Sequence, residues 1–74
     1  MQLVYLDTHK PVETGDIVHI SDRHSVGRAV VEYIREPHTR ASTGRVGIMF
    51  VEDKWRTEYY PHVIGADWIG RTDR

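Results

Sequence analysis

The chain has 74 residues, no cysteine, and ten Lys and Arg against eleven Asp and Glu, for a formal charge of −1. A chain this short makes one thin-cored domain, burying only roughly 60% of its unfolded surface, and without cysteine it has no disulfide, thiolate metal site or cysteine nucleophile. The near-neutral balance is not that of a polycation drawn to nucleic acid or membrane, and the longest apolar run, Val46 to Val51, is far short of a transmembrane span.

Nine Val and six Ile stand against two Leu and three Ala. Branching at Cβ stiffens the side chain and suits a pleated sheet, whereas Leu and Ala favour helix. Composition therefore predicts strands. The opening Met-Gln-Leu-Val-Tyr-Leu-Asp lacks a basic region followed by a long apolar one, so the expectation is an untargeted, cytoplasmic chain with no membrane association.

In chain order, Gln2 to Asp7 reads as a first strand, followed by a polar connection ending at Pro11, a residue that disfavours a central strand position. Thr14-Gly15-Asp16 is a turn leading into Ile17-Val18-His19-Ile20, a second strand closed by Ser21 to Ser25. Val26 to Glu36 is the longest strand. Strict alternation puts Val26, Arg28, Val30, Glu32 and Ile34 on one face and Ala29, Val31, Tyr33 and Arg35 on the other. Neither face is cleanly polar, which predicts a strand that bends between two halves of a small barrel.

Pro37 to Gly44 reads as a loop, and Arg45 to Asp53 as a strand with Val46, Ile48 and Phe50 on one face. Glu52-Asp53-Lys54 is a charged turn, so that strand and the next, Trp55 to Tyr60, form a hairpin. Trp55, Thr57 and Tyr59 face one way along it, and Arg56, Glu58 and Tyr60 the other. Pro61 ends the strand, a single 3₁₀ turn follows, and Ala66 to Ile69 is a last short strand. Residues 1–70 are thus expected to form one domain, with 71–74 a frayed polar tail. The fold class is all-β, with five to six short antiparallel strands and one 3₁₀ turn before the last.

The order of a Gly-Asp turn, a long bent strand, a hairpin, a 3₁₀ turn and a terminal strand resembles an SH3-like barrel. Gly15 to Ile20 followed by Val26 to Val31 is similar to the opening of KOW and Tudor-like modules, without the central glycine those motifs place between the strands. That resemblance implies binding of nucleic acid or modified peptides. Gly15-Asp16-Ile17-Val18, and Glu58-Tyr59-Tyr60-Pro61 with the apolar turn through Ile69, resemble the plasmid-borne dihydrofolate reductases of trimethoprim resistance, tetrameric SH3-like barrels often carried on integron cassettes. In that family a Gln-Ile-Tyr segment and a lysine line the active pore. Here Glu58-Tyr59-Tyr60 stands at the first place and Ile20 and Ser21 near the second, so the resemblance implies the barrel and lacks the catalytic Gln and Lys. The size and style also resemble integron-cassette products.

Two sets of residues are candidate contact surfaces. Trp55, Tyr59 and Tyr60, with Arg56, combine apolar area with polar tips, as ligand or partner grooves do; the alternative is that Trp55 and Tyr59, or Tyr60 alone, are core. Arg35, His38, Arg40 and Arg45 bracket a loop with one acid, Glu36, whereas residues 1–22 set Asp7, Glu13, Asp16 and Asp22 against Lys10. Guanidinium forks match phosphates and carboxylates, and Thr39, Ser42 and Thr43 add hydroxyls, although no aromatic interleaves this stretch to stack bases. The five histidines form no HxH or HxxxH pattern, so no metal site is expected. Asp22-Arg23-His24-Ser25 holds the residue types of a hydrolytic triad only as sequence neighbours, and triads are assembled from separate segments. Glu52 and Glu58 read as solvated partners of Lys54 and Arg56, and the six glycines stand singly, with no phosphate-cradling motif.

The first expectation is a non-catalytic binding module, needing no cofactor, that acts on itself or on a protein partner. The second is a nucleic-acid-binding domain of KOW or Tudor-like kind using Arg35, Arg40 and Arg45. The third is an oligomeric small-molecule enzyme of the reductase kind.

Overall fold

The computed structural model describes residues 1–39 and 41–70. The expected tail at 71–74 and the candidate Arg40 lie outside the described residues. Among the described residues six strands form: β1 (Gln2–Tyr5), β2 (Ile17–Ser21), β3 (Val26–Arg35), β4 (Arg45–Phe50), β5 (Arg56–Tyr59) and β6 (Ala66–Ile69). The expected 3₁₀ turn, Pro61–Ile64, precedes β6. All pairings are antiparallel, as expected of an all-β chain.

The strands make two sheets, a four-stranded one in the order β2-β3-β4-β5 and a two-stranded one of β1 and β6. Hydrogen bonding does not close them into a continuous barrel. β1 and β6 are four residues each, and they pair with one another over their whole length. A single bridge from Val4 to Pro11 extends their sheet, which suits a proline at a sheet margin.

Both sheets contribute to one core. Val18, Ile20, Ala29, Val31, Val46, Ile48 and Phe50 point in from the larger sheet, and Leu3, Ala66 and Trp68 from the smaller, with Val12 and Ile64 between them. Ile20, Ile48, Val31 and Val46 are the largest side chains buried completely. Burial of each such side chain contributes about 1.5–3 kcal/mol, which is how a 74-residue chain holds together without a disulfide.

Strand limits differ from the sequence expectation in β1 to β5; β2 runs on through Ser21, and β5 is trimmed to Arg56–Tyr59. β1 stops at Tyr5 because the chain reverses there: Tyr5 N–H donates to Lys10 O (2.9 Å) and His9 N–H to Tyr5 O (2.8 Å), with His9 at φ 61°. β3 stops at Arg35, one residue early. β4 stops at Phe50 because residues 51–54 make the hairpin turn. Lys54 N–H donates to Phe50 O (3.0 Å) and Phe50 N–H to Trp55 O (2.8 Å), with Lys54 at φ 63°. Trp55 therefore sits at the mouth of the hairpin, outside β5.

The faces of β3 also differ from the sequence expectation. Val31 pairs with Ile48, yet Tyr33 pairs with Gly47, so Glu32 is an extra residue in a bulge. Past the bulge the alternation inverts. Ile34 turns toward the core opposite Val46, while Tyr33 and Arg35 turn outward instead of following Ala29 and Val31 inward. Gly47 accommodates this inversion: a Cβ there would run into the Tyr33 ring. Only glycine lets that ring lie against β4.

Candidate functional site

The pleat of the larger sheet sends alternate residues away from the core. Strand register aligns the outward Ile17, Val30, Met49 and Arg56 as one row across all four strands. Ile17 is 59% exposed, and Val30 and Met49 are half-buried. One step along, His19 faces Arg28; at the other end of the face, Tyr33 and Glu58 flank Gly47, and Arg35 faces Arg45.

Around β5 the candidate aromatics separate. Tyr59 is half-buried and packs against the core. Tyr60 and Trp55 are half-exposed and stand at opposite ends of the strand. Arg56 Nε donates to both carboxylate oxygens of Glu32, the bulge residue, at 3.0 and 3.1 Å. The four candidates thus form no single groove.

The basic candidates are partly gathered. Arg35 and Arg45 are cross-strand partners. The Arg45 guanidinium lies 4.1 Å from the centre of the Tyr60 ring, and Tyr60 stacks on His62 at 5.8 Å with 13° between planes. The aromatic component missing from the 35–45 sequence is therefore supplied by the segment after β5, a juxtaposition no local pattern shows. Arg35 pairs with Glu58 at 3.1 Å, and Glu58 also accepts from the Tyr33 hydroxyl. That hydrogen bond is the main cause holding the Tyr33 phenol above its ordinary pKa. His38 is exposed in the loop.

The loop between β3 and β4 is tied down at its end. Trp68 Nε1 donates to Thr43 O at 2.7 Å, and Gly44 sits at φ 70° with Arg35 O where a Cβ would meet it. Arg45 Nη1 donates to Gly44 O at 2.7 Å. Glycine at position 44 thus sets where Arg45 leaves the loop.

At the far end of the sheet, the β2–β3 and β4–β5 turns enclose a cleft of about 260 Å³ that His24, Arg28, Phe50, Glu52, Asp53 and Trp55 help to line. Trp55 stacks on Phe50 at 5.8 Å and 13°. Asp22 to Ser25 are the turn itself, with Asp22 N–H donating to Ser25 O at 2.9 Å and Asp22 Oδ1 accepting from Arg23 N–H at 2.7 Å. No local pattern shows this cleft, because its walls come from two separate turns.

On the acidic side of the chain, Asp16 Oδ2 accepts from the Tyr5 hydroxyl (2.8 Å) and from Glu13 N–H (3.0 Å). Burial first, then Asp16 and the charges of Asp7 and Glu13, push the Tyr5 phenol well above the usual range. Among the described residues, no group of three or more His, Asp or Glu can hold a metal ion, and no helix is long and apolar enough to cross a membrane. Comparison with known protein families, with curated proteins and with solved structures finds no match to this chain.

Proposed function

We propose that the chain is a non-catalytic interaction module that self-associates through the outward face of its four-stranded sheet. The observation that supports this is the registered row Ile17–Val30–Met49, a contiguous apolar strip on the face turned away from the core. Contiguous exposed apolar surface on a small domain marks contact sites, whereas single exposed apolar residues are ordinary. The Arg56–Glu32 and Arg35–Glu58 pairs fringe the strip as a polar rim. A thin core gains most from such coverage, and the element order supports an SH3-like reading, a fold in which sheet surfaces serve as contact faces. The cysteine-free sequence supports action in the cytoplasm.

Light scattering across a concentration series tests this. The expected result is a dimer or higher oligomer that Met49→Glu or Ile17→Glu converts to a folded monomer. A strict monomer at every concentration overturns it.

A second reading, a nucleic-acid-binding module of KOW or Tudor-like kind, is favoured by Arg35 beside Arg45 and by Tyr60 under the Arg45 guanidinium. Its signature is single-strand binding that weakens steeply with salt, with a shallower slope in Arg45→Ala. No binding at low salt removes it.

A further inference from the structure

Among the described residues, opposite charges near one another are closed into pairs in two places. Arg35 meets Glu58 at 3.1 Å and Arg56 meets Glu32 at 3.0 Å. The cleft between the two hairpin turns is different. Arg28 and His24 line it together with Glu52 and Asp53, yet none of the four is in an ion pair among the described residues. Asp53 Oδ1 is engaged locally, accepting from Trp55 N–H at 3.0 Å. Arg28 and Glu52 therefore present unpaired charges of opposite sign to one small space.

The floor of that space is aromatic. Phe50 is 6% exposed and backs the Trp55 indole, which is itself 51% exposed. Stacking on a buried ring holds the indole in place while part of its surface stays open. A cation close to an indole face is attracted by the negative face of the ring. The volume, about 260 Å³, lies below the roughly 300–1,000 Å³ of drug-sized pockets, so the occupant is small.

We propose that this cleft binds a small zwitterion of the amino-acid class, its carboxylate on Arg28 and its ammonium between Glu52 and the Trp55 indole. A ligand of one sign does not satisfy this lining. A bare carboxylate paired with Arg28 leaves Glu52 facing it, and a bare ammonium paired with Glu52 faces Arg28. A molecule with both charges on a short apolar spacer matches each wall and lays its spacer on the ring. Arginine recognises a carboxylate through two parallel hydrogen bonds, which adds orientation to charge. The inference does not rest on self-association: the cleft is walled by the two turns, and Arg28 reaches it from the margin of the outward face.

The test is a titration of the intact chain, followed by the intrinsic fluorescence of Trp55 and by heat. The probes are glycine, with adjacent charges, and γ-aminobutyrate, with separated ones; acetate and methylammonium are the two half-ligands. The expected result is saturable binding of at least one zwitterion and much weaker binding of both halves. Arg28→Ala and Glu52→Gln should each weaken it by about tenfold or more, the effect of losing one charge-assisted hydrogen bond. Trp55→Phe should remove the optical signal and leave heat of binding. The titration is repeated in Met49→Glu, so that loss of assembly and loss of ligand are read separately. Acetate or methylammonium binding as tightly as the zwitterions overturns the proposal, as does no saturable binding of either zwitterion. Binding unchanged in both Arg28→Ala and Glu52→Gln overturns it as well. Both side chains are exposed, so circular dichroism of these variants should match the parent.

Discussion

The two ends of the four-stranded sheet carry similar residues in opposite states. At the end bearing Arg35 and Arg45, charges and rings are closed on one another: Arg35 with Glu58, Tyr33 with Glu58, Arg45 with Tyr60, and Tyr60 with His62. At the end bearing the two turns, Arg28 and Glu52 stay apart and Trp55 leans on a single ring. The difference teaches that a list of Arg, Tyr and Trp does not locate a binding site. Residues satisfied by neighbours shape and stiffen a surface; residues left unsatisfied in a concavity are what a ligand can use.

The closed end owes its geometry to Gly44, so that position should give the largest effect. A Cβ at Gly44 meets the carbonyl of Arg35, the Trp68 ring at 2.9 Å and Pro37 at 3.1 Å, on a backbone at φ 70°. Left-handed strain and overpacking together predict a loss of about 2–5 kcal/mol for Gly44→Ala, measured by urea unfolding. Gly47→Ala should cost less, because the group it meets is the half-exposed Tyr33 ring, which can swing away from Glu58. Equal losses at the two glycines would break the distinction between a backbone clamp and a movable ring.

The aromatic residues sharpen the comparison next. Tyr59→Ala, which opens the core, should lose about 2–4 kcal/mol. Trp55→Ala at the open end should change stability by no more than about 1 kcal/mol. If Trp55→Ala unfolds the chain, the indole is structural and the open end is not a surface held for a ligand.

Smaller still is Glu58→Gln. The pair it breaks is largely solvated, with the side chains of Arg35 and Glu58 60% and 29% exposed, so stability should shift by less than about 1 kcal/mol. The informative readout is single-strand binding. Release of Arg35 should strengthen it and steepen its salt dependence, converting the closed end partway to an open one. Unchanged binding in this variant would show that Arg35 is no part of such a surface.

The smallest effect is a pH dependence. The folded chain holds the Tyr5 proton more tightly than the unfolded chain, whose phenol titrates at about 10. That contribution is complete below pH 10 and is lost as pH rises above it. Denaturant midpoints should therefore fall in alkali, and Tyr5→Phe should flatten the decline. An identical alkaline decline in Tyr5→Phe would assign it to other groups.

Much of the fold was legible from local chemistry. Short apolar, β-branched and aromatic runs between turn signals located the six strands, Gly15-Asp16 and Glu52 to Lys54 located turns, and Pro61 located the 3₁₀ turn. These signals act over a few residues, so a linear reading finds them. The bulge at Glu32 was not legible, because it arises from fitting ten residues of β3 against the shorter β4. Without it, Tyr33 reads as an inward residue and its bond to Glu58 is invisible. The candidate surfaces were legible as residue types, and Arg45 meets Tyr60 as a contact between the two sets. Which aromatics face outward was only half legible: the alternation in β5 sent Tyr59 and Tyr60 to opposite faces, but Trp55 left the strand through the turn at Lys54.

Composition and local pattern by themselves determined that this chain is all-β, where its strands and turns fall, and that its charge is polarised along its length. Those properties follow from backbone preferences and nearest neighbours. Only the tertiary structure decided that the sheets remain two, that among the described residues Arg35 has an ion-pair partner and Arg28 has none, and that two separate turns enclose a cleft. Register brings distant residues within a few ångströms, and pairing, stacking and enclosure are set at that distance rather than by separation along the chain.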